Sequence, residues 1–321
     1  MDLTLGIDLG GTNIAAGVVD ASGKLLIKES IKTGAERGAA AILADVGDQA
    51  CRLVADMGES GKDIRAIGIG SPGTPDNVHG VVIYSSNLPF RPSTPIREVL
   101  QSRLGIPVFL ENDASCAALA EARAGAAKGA LYAITLTIGT GIGCGIIANG
   151  RIYHGFNNAA GEFGHSVLIP DGEPCPCGRR GCFEMYASAT ALIRETRRAI
   201  ARQPNSMLRR LSDEAGKSGA RTAFDAMRAG DPVGTAVVHD YIRMLSEGVT
   251  NLINTLMPEV LLIGGGVSNE GESLLIPIRE FVDQNAYYGE GVPHTRIERA
   301  TLGNDAGIIG AALMAADNLT S

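Results

Sequence analysis

The sequence predicts an α/β protein made of two duplicated lobes, and three observations carry that prediction. Short apolar segments typical of strands alternate with longer stretches of helical periodicity. A strand–glycine–strand–turn–strand pattern near the N-terminus recurs 128 residues later, where Gly139 takes the place of Gly11. The chain has 321 residues, which is long for a single hydrophobic core.

In the first half of the chain, apolar runs that end at glycines or turn residues predict strands, and apolar residues at i, i+3 and i+4 predict helices. The predicted strands cover 3–9, 14–19, 24–30, 64–69 and 107–110. The predicted helices cover 35–57, 95–104 and 114–124. The segment 68–73 fits the G-x-G-x-x-G dinucleotide pattern, but Pro72 removes an amide and no helix can open after it, so we reject that interpretation.

The second half repeats this order, with strands predicted at 132–138, 142–148, 151–154 and 260–263 and helices at 185–202, 234–256 and 306–316. Six residues of the first pattern align with six of the second at a constant offset: Gly11, Thr12, Ile14, Gly17, Val18 and Val19 with Gly139, Thr140, Ile142, Gly145, Ile146 and Ile147. Repetition of this kind predicts a duplicated domain.

Composition and charge exclude several classes of protein. With 28 Lys and Arg against 35 Asp and Glu, the net charge is −7 and no basic cluster stands out, which argues against nucleic acid as a partner. The N-terminus does not read as a signal peptide, and no apolar run reaches the roughly 20 residues that cross a bilayer. We therefore expect a cytoplasmic protein without a membrane partner, in which clustered cysteines hold metal more often than disulfides.

Three glycine-containing loops are candidates for binding a nucleotide. Asp8, Gly10, Gly11 and Thr12 form one loop, Gly139, Thr140 and Gly141 form its repeat, and Gly264, Gly265 and Gly266 follow the predicted strand at 260–263. Glycines expose backbone amides to phosphate, while the carboxylate of Asp8 would repel phosphate unless a cation such as magnesium lay between them. The third loop would leave bare backbone for adenine or its ribose. Ordinary turns remain the alternative for each loop.

One histidine and three cysteines form the most specific motif. His165, Cys175, Cys177 and Cys182 supply a complete Cys₃His set, which predicts a closed, structural zinc site. A disulfide with one thiol left over, or free cysteines clustered by chance, are the alternatives. Glu162 and Glu184 frame the motif, and we interpret them as acceptors for the hydroxyls of a sugar, the alternative being solvated loop charge.

Asp113 is the candidate catalytic base. It follows a short buried strand and stands where a helix begins, so either Asn112 or Asp113 could simply cap that helix. Phosphate loops and a polyol site together require a residue that accepts a hydroxyl proton, which favours the base.

Together these motifs resemble the ROK family of bacterial sugar kinases, within the actin-like ATPase superfamily of ribonuclease H-like folds. The resemblance covers almost the whole chain. It rests on the two phosphate loops, on Glu111-Asn112-Asp113-Ala114, and on Gly161-Glu162-Phe163-Gly164-His165 followed by the cysteine motif. It implies two mixed-sheet lobes around a cleft: 1–113 plus about 303–321 as the small lobe, and 114–302 as the large lobe with the zinc loop.

The resemblance also implies a function: ATP-dependent phosphorylation of a hexose, with glucose as the first expectation and Asp113 as base. It places Asn87, Asn112, Glu162, His165 and Glu184 around the sugar, Gly264 to Gly266 near adenosine, and ATP with magnesium beside the structural zinc. Family members are commonly homodimers or homotetramers. Two departures border the sugar site: Pro89-Phe90 stands where glucokinase-like members often have tryptophan, and Ser115 where asparagine is usual.

Three alternatives to a glucose kinase remain, and one is a sugar sensor or zinc-stabilised binding protein without turnover. N-acetylmannosamine, mannose, fructose and N-acetylglucosamine are other candidate acceptors. The family also contains sugar-responsive repressors, which carry an N-terminal helix-turn-helix domain. Because this sequence begins two residues before its first predicted strand and keeps Asp113, we expect a kinase.

Overall fold

A computed structural model describes residues 2–85, 88–91 and 94–319. The strands are β1 (Leu3–Leu9), β2 (Asn13–Asp20), β3 (Leu25–Lys32), β4 (Ile64–Ser71), β5 (Thr74–Asp76), β6 (Val81–Tyr84), β7 (Val108–Asn112), β8 (Ala133–Ile138), β9 (Ile142–Ala148), β10 (Arg151–Ile152), β11 (Val260–Gly264) and β12 (Arg296–Arg299). The α-helices are α1 (Ala39–Asp56), α2 (Ile96–Leu104), α3 (Asp113–Ala124), α4 (Glu184–Ala187), α5 (Ala189–Arg202), α6 (Met207–Glu214), α7 (Thr222–Arg228), α8 (Pro232–Leu256), α9 (Glu272–Asn285) and α10 (Ala306–Leu319).

The first sheet has the strand order β3-β2-β1-β4-β7. β2 pairs antiparallel with β1 and β3, whereas β1, β4 and β7 run parallel. The register places Asp8 opposite Gly70, and Gly70 opposite Glu111. The carboxyl ends of three parallel strands therefore meet at one edge, which is where ligands bind in many α/β sheets.

Helix α10 packs on this sheet at van der Waals distance because two strand residues are glycines. A Cβ on Gly6 would lie 1.9 Å from the carbonyl oxygen of Ile308, and one on Gly68 would lie 1.8 Å from that of Ala311. Any side chain at either position would push the helix away from the sheet. Gly68 belongs to the rejected dinucleotide pattern, and the structure gives it this packing role within strand β4.

The second sheet has the order β10-β9-β8-β11-β12. When the five strands of each sheet are numbered one to five in chain order, both sheets have the order 3-2-1-4-5. The shared topology confirms the duplication predicted from the repeated glycine pattern, and with it the mixed α/β fold.

The chain forms two compact units. One comprises Met1–Thr135, Gly145–Gly161 and Thr301–Ser321, and the other comprises Leu136–Cys144 and Glu162–Ala300. The lobe boundaries expected from the sequence, at 113/114 and near 302/303, stay a prediction. Across the described residues, no helix is both long enough and apolar enough to cross a bilayer.

Several predicted boundaries differ from the observed ones, and local chemistry explains the clearest case. The helix predicted at 185–202 is interrupted at Ser188, whose backbone is extended and whose hydroxyl caps α5 by accepting the N–H of Ala191 at 3.1 Å. The hairpin β5–β6, helices α6, α7 and α9, and strand β12 were not predicted. β5 contains Pro75, and prolines and glycines surround this hairpin, which hides the alternation that identifies a strand.

Candidate functional site

The first glycine loop is held by its own strands and leaves two amides available. The N–H of Gly10 donates to Asn13 O at 3.0 Å, and Thr33 donates from its N–H to Thr12 O and from its hydroxyl to Gly10 O. Among the described residues, the amides of Gly11 and Thr12 meet no protein acceptor. The loop therefore presents free donors to an anion. Thr33, which the sequence did not single out, supplies the support.

Asp8 and Asp113 are buried close to one another. Burial, and then the negative charge of Asp113, raise the pKa of Asp8 to about 7. Within the described part of the chain, no basic group or hydrogen-bond donor pairs with Asp8. A Cβ on Gly307 would lie 2.5 Å from Asp8 Oδ2, so the first turn of α10 approaches this carboxylate closely. A buried, unpaired carboxylate beside a phosphate loop is the oxygen donor that fits a magnesium ion.

The structure separates the roles of Asn112 and Asp113. Asn112 is the N-cap of α3, because its Oδ1 accepts the N–H of Ser115 at 3.1 Å and its Nδ2 donates to Gly73 O at 3.1 Å. Asp113 is the first residue of the helix and accepts the N–H of Ala114 at 2.8 Å. Burial raises the pKa of Asp113 although that hydrogen bond opposes the rise. Asp113 is thus not required as the cap, and burial favours its acceptance of a proton.

The second glycine loop is tied to the helices that follow the cysteine motif. Gly139 O accepts the N–H of Ala189 at 2.9 Å, and Thr140 O accepts the hydroxyl of Thr190 at 2.7 Å. No atom lies within 4 Å of where a Cβ on Gly139 would stand. That open space in front of backbone is the room a phosphate needs.

Glu184, the first residue of α4, also holds this loop. Its Oε2 accepts the N–H of Ile142 at 2.7 Å, and a Cβ on Gly141 would lie 2.3 Å from the same oxygen. Gly141 is therefore needed for the carboxylate to approach. This contact was not anticipated from the sequence.

The third loop, Gly264 to Gly266, follows β11 and lies against the end of β8. Gly265 has φ +79°, and a Cβ there would lie 2.3 Å from the carbonyl oxygen of Ile138. At Gly266 no atom lies within 4 Å of the Cβ position. The loop packs through one glycine and leaves backbone open at the next, as a flat ligand would require.

The four residues of the predicted metal site come together. The ligand atoms of His165, Cys175, Cys177 and Cys182 all lie within 4.8 Å of one another. Cys175 Sγ is 3.6 Å from His165 Nδ1, and Cys177 Sγ is 3.6 Å from Cys182 Sγ. Tetrahedral zinc with ordinary bond lengths would set these separations at about 3.6 Å for S···N and about 3.8 Å for S···S. The donor set and its spacing therefore fit zinc, and Nδ1 is the nitrogen of His165 that faces the cysteine sulfurs.

The loop geometry explains how closely spaced cysteines can converge. Gly178 and Gly181 have φ +91° and +81°, in the left-handed region that glycine tolerates. The backbone of Val167 pairs with that of Cys182, and Pro174 pairs with Arg180, so two short bridges close the loop. The motif begins at the 3₁₀ turn Phe163–His165, where the N–H of His165 donates to Glu162 O at 3.0 Å.

The other predicted sugar ligands are placed as follows. Burial, and then the carboxylate of Glu162, raise the pKa of Cys144 to about 12, so the charge of Glu162 lies near that buried thiol. Nδ1 of His165 is directed to the sulfur cluster, so Nε2 is the ring nitrogen outside that cluster. Asn87 lies outside the described residues.

Two acidic residues near the base were not singled out from the sequence. Glu111, next to Asn112, forms an ion pair with His154 at 2.6 Å. Glu121, on α3, is fully buried and accepts hydrogen bonds from Thr301, Leu302 and Ala126. In the sequence, Glu111 stood out only as the first residue of the Glu111-Asn112-Asp113-Ala114 motif. A glutamate within an alanine-rich helix was the available signal for Glu121.

Comparison with known proteins identifies the family. The model of the ROK family matches residues 4–318. This chain belongs to the ROK family. It is 37% identical to a glucokinase of Halalkalibacterium halodurans over 95% of this chain and 92% of the relative.

Two solved structures agree with this assignment. A ROK family glucokinase from Streptomyces griseus in complex with glucose and AMPPNP superposes with a TM-score of 0.82 and 36% identity, covering 98% of this chain and 99% of that one. A ROK hexokinase from Thermus thermophilus gives a TM-score of 0.81 and 35% identity, covering 99% of each chain. The ROK chain described here thus has the actin-like ATPase fold that its motifs predicted.

Proposed function

We propose that this ROK protein is an ATP-dependent sugar kinase that converts glucose to glucose 6-phosphate. The observation that carries the proposal is the buried Asp113, released from capping by Asn112 and accompanied in the same compact unit by Asp8 and the first glycine loop. The chain's similarity to glucokinases along nearly its whole length supports glucose as the acceptor.

In this reaction Asp113 takes the proton of the sugar's 6-hydroxyl as that oxygen attacks the γ-phosphorus of ATP. A new O–P bond forms, the bond from the γ-phosphorus to its bridging oxygen breaks, and ADP leaves with the electron pair. A carboxylate whose pKa is raised by burial is a stronger base than an exposed one, which suits this proton transfer.

The glycine loops would bind the nucleotide. The amides of Gly11 and Thr12, with the loop Gly139 to Gly141, would donate to the phosphates, and the backbone at Gly266 would lie against adenosine. Asp8 would hold magnesium, directly or through water, and the ion would neutralise charge that develops on the phosphates. Asp8 itself must be ionised for that role, which a cation favours.

The sugar's other hydroxyls would be held by Asn112, Glu162, Nε2 of His165 and Glu184, and Asn87 is assigned to the same pocket. We further propose that the Cys₃His site holds a structural zinc, which keeps His165 and the two glutamates in place. A homodimer or homotetramer is the proposed assembly.

The test is phosphotransfer by the purified protein with ATP and magnesium across glucose, mannose, fructose, N-acetylglucosamine and N-acetylmannosamine. ADP production and the sugar phosphate are both measured. We expect glucose to give the highest kcat/KM, and Asp113→Asn to lower kcat by about 10²–10⁴-fold with its fold intact. A higher kcat/KM for another sugar would correct the acceptor, and no sugar phosphate from any of them would refute the kinase.

A further inference from the structure

Glu111 is a buried carboxylate placed directly behind the proposed base. It is the penultimate residue of β7, its side chain is 8% exposed, and both of its oxygens are engaged. Oε1 accepts the backbone N–H of Asn112 at 2.8 Å, and Oε2 lies 2.6 Å from Nε2 of His154. The side chain thus holds, through this hydrogen bond, the peptide group that precedes Asn112 and Asp113.

His154 connects the carboxylate of Glu111 to a second segment of the chain, the one that follows β10. The carbonyl oxygen of His154 accepts the N–H of Ala160 at 3.1 Å. Its side chain therefore fixes Glu111 while its main chain fixes the loop at 155–160. That loop continues directly into Gly161, where the Gly-Glu-Phe-Gly-His motif begins.

The negative charge around the Glu111–His154 pair is the reason that the pair matters. Glu111 and Asp8 both bear on the buried thiol of Cys116, as does Asp113, so three carboxylates crowd one region. An imidazolium at His154 would neutralise Glu111, the one carboxylate of the three that has no direct part in the proposed reaction. Leaving a buried carboxylate without that partner would favour a changed position for its side chain.

We propose that Glu111 and His154 form a positioning pair that fixes the Asn112–Asp113 segment for proton abstraction, a role that rests on the proposed kinase function. Neither residue touches the substrate in this role. Each acts through the peptide N–H of Asn112 and through the charge balance next to Asp113.

The surroundings of His154 allow its proton to exchange with solvent. Its side chain is 45% exposed and borders a cavity of about 780 Å³ that Arg123, Arg151 and Asp317 also line. Arg123 is paired with Asp317 at 2.9 Å. Within the described residues, Glu111 is the acid paired with His154, and its carboxylate raises the pKa of that imidazole. The imidazolium that the ion pair requires is therefore retained to higher pH than in a free histidine, and the pair is lost when His154 deprotonates.

The experiment compares the wild-type protein with His154→Leu, His154→Gln and His294→Gln. His294 supplies the matched control, because it forms an exposed pair with Asp283 at 3.2 Å and belongs to the other compact unit. We expect His154→Leu to lower kcat about 10-fold or more while the KM for glucose changes by less than about twofold. His154→Gln keeps a donor for Glu111 without charge, so we expect partial recovery of kcat and loss of the alkaline decline that we expect in the wild type. His294→Gln should match the wild type.

A second readout follows the imidazole itself. The chain has five histidines, and their ring protons can be titrated by NMR and assigned with the variants. Glu111→Gln should lower the pKa of His154 and lower kcat with it. An active wild type whose kcat and pH profile are unchanged in His154→Leu would overturn the positioning role alone. A wild type that phosphorylates no sugar would overturn the proposed function, and the positioning role with it.

Discussion

Oε2 of Glu184 accepts the backbone N–H of Ile142 at 2.7 Å, so the residue that ends the cysteine motif also holds the second phosphate loop. The same carboxylate stands 2.3 Å from where a Cβ on Gly141 would be. A side chain proposed to bind sugar is thus a structural support of the proposed nucleotide site. Glu184 would therefore serve both proposed substrate sites, and its hydrogen bond to Ile142 is the contact to the phosphate loop.

Replacing Glu184 is therefore expected to affect both substrates. In Glu184→Ala the N–H of Ile142 loses its acceptor, and we expect the KM for ATP and the KM for glucose each to rise about 5- to 20-fold. Glu184→Gln keeps an acceptor oxygen for Ile142, so it should raise the KM for ATP less than Glu184→Ala does. Steady-state kinetics with each substrate varied in turn measures both effects.

The matched control for this prediction is Glu195→Gln, which changes a glutamate that pairs with arginines on the surface of α5. Its two KM values should equal those of the wild type. A rise confined to glucose in Glu184→Ala would contradict the supporting role for the phosphate loop.

The metal site gives a second prediction. Cys177 and Cys51 are both exposed cysteines, but only Cys177 belongs to the Cys₃His cluster. We expect the wild type and Cys51→Ser to retain about one zinc per chain after dialysis, and Cys177→Ser to lose it. Because the proposed zinc would fix the loop that carries His165, Cys177→Ser should also weaken glucose binding about 10-fold or more. Metal analysis and calorimetric titration measure the two effects.

Full sugar affinity in zinc-free protein would show that the metal does not organise the sugar site. Zinc retained by Cys177→Ser at the wild-type level would show that the four-ligand assignment is wrong.

The sequence predicted the paired sheets, and it supplied most of the residues of the proposed site, because both leave local signals. Glycine loops at a constant spacing revealed the duplication, and a histidine with three cysteines revealed the metal set. The positions of Asp8 and Glu111 relative to one another depend on strand register, which is set by pairing between β1, β4 and β7. No local pattern encodes such register, so the crowding of carboxylates could be seen only in the fold.

The hydrogen-bond and ion-pair partners of charged residues also could not be predicted from the sequence. His154 lies 43 positions from Glu111, and Thr301 lies 180 positions from Glu121. Likewise, the dual role of Glu184 depends on a loop 42 positions earlier in the chain. These contacts arise from tertiary packing, whereas the cap of α3 could be narrowed from the sequence to Asn112 or Asp113 because capping is local.

The pKa of Asp8 predicts how stability depends on pH. An aspartate ordinarily ionises near 3.8, whereas Asp8 in the folded protein ionises at about 7. Between these values the folded state holds a proton that the unfolded state has released, so the free energy of unfolding falls as pH rises. Asp8→Asn removes this loss, and we expect it to be more stable than the wild type by roughly 2–4 kcal/mol at pH 8 and by much less at pH 4.5.

Denaturant unfolding at both pH values, without nucleotide or magnesium, measures this difference. Asp20→Asn is the control of opposite sign, because a hydrogen bond from Ser22 holds the pKa of Asp20 below its ordinary value. That variant should lose stability at neutral pH and not gain it. An Asp8→Asn variant with the same pH dependence as the wild type would show that Asp8 is not the buried, destabilising carboxylate.

Glu121 gives the last prediction, because it joins α3 to the segment just before α10. Its side chain is fully buried, and Oε1 accepts the N–H groups of Thr301 and Leu302, each at 2.8 Å. Oε2 accepts the N–H of Ala126 at 2.8 Å. An amide has one acceptor oxygen, so Glu121→Gln would set an NH₂ group against at least one of these donors. We expect it to lower the free energy of unfolding by roughly 2–4 kcal/mol.

A second variant, at Gly125, perturbs the carboxylate of Glu121 without changing Glu121 itself. A Cβ on Gly125 would lie 2.0 Å from Glu121 Oε2, so Gly125→Ala should displace the carboxylate and destabilise the protein in the same direction. Glu59→Gln, which changes an exposed glutamate paired with Lys62, is the control and should leave unfolding unchanged. Denaturant titration of all three measures the effect.

Because both changes act on one carboxylate, the double variant Glu121→Gln with Gly125→Ala should lose less free energy of unfolding than the sum of the two single losses. Losses that add in full would mean that Gly125 and Glu121 stabilise the fold independently.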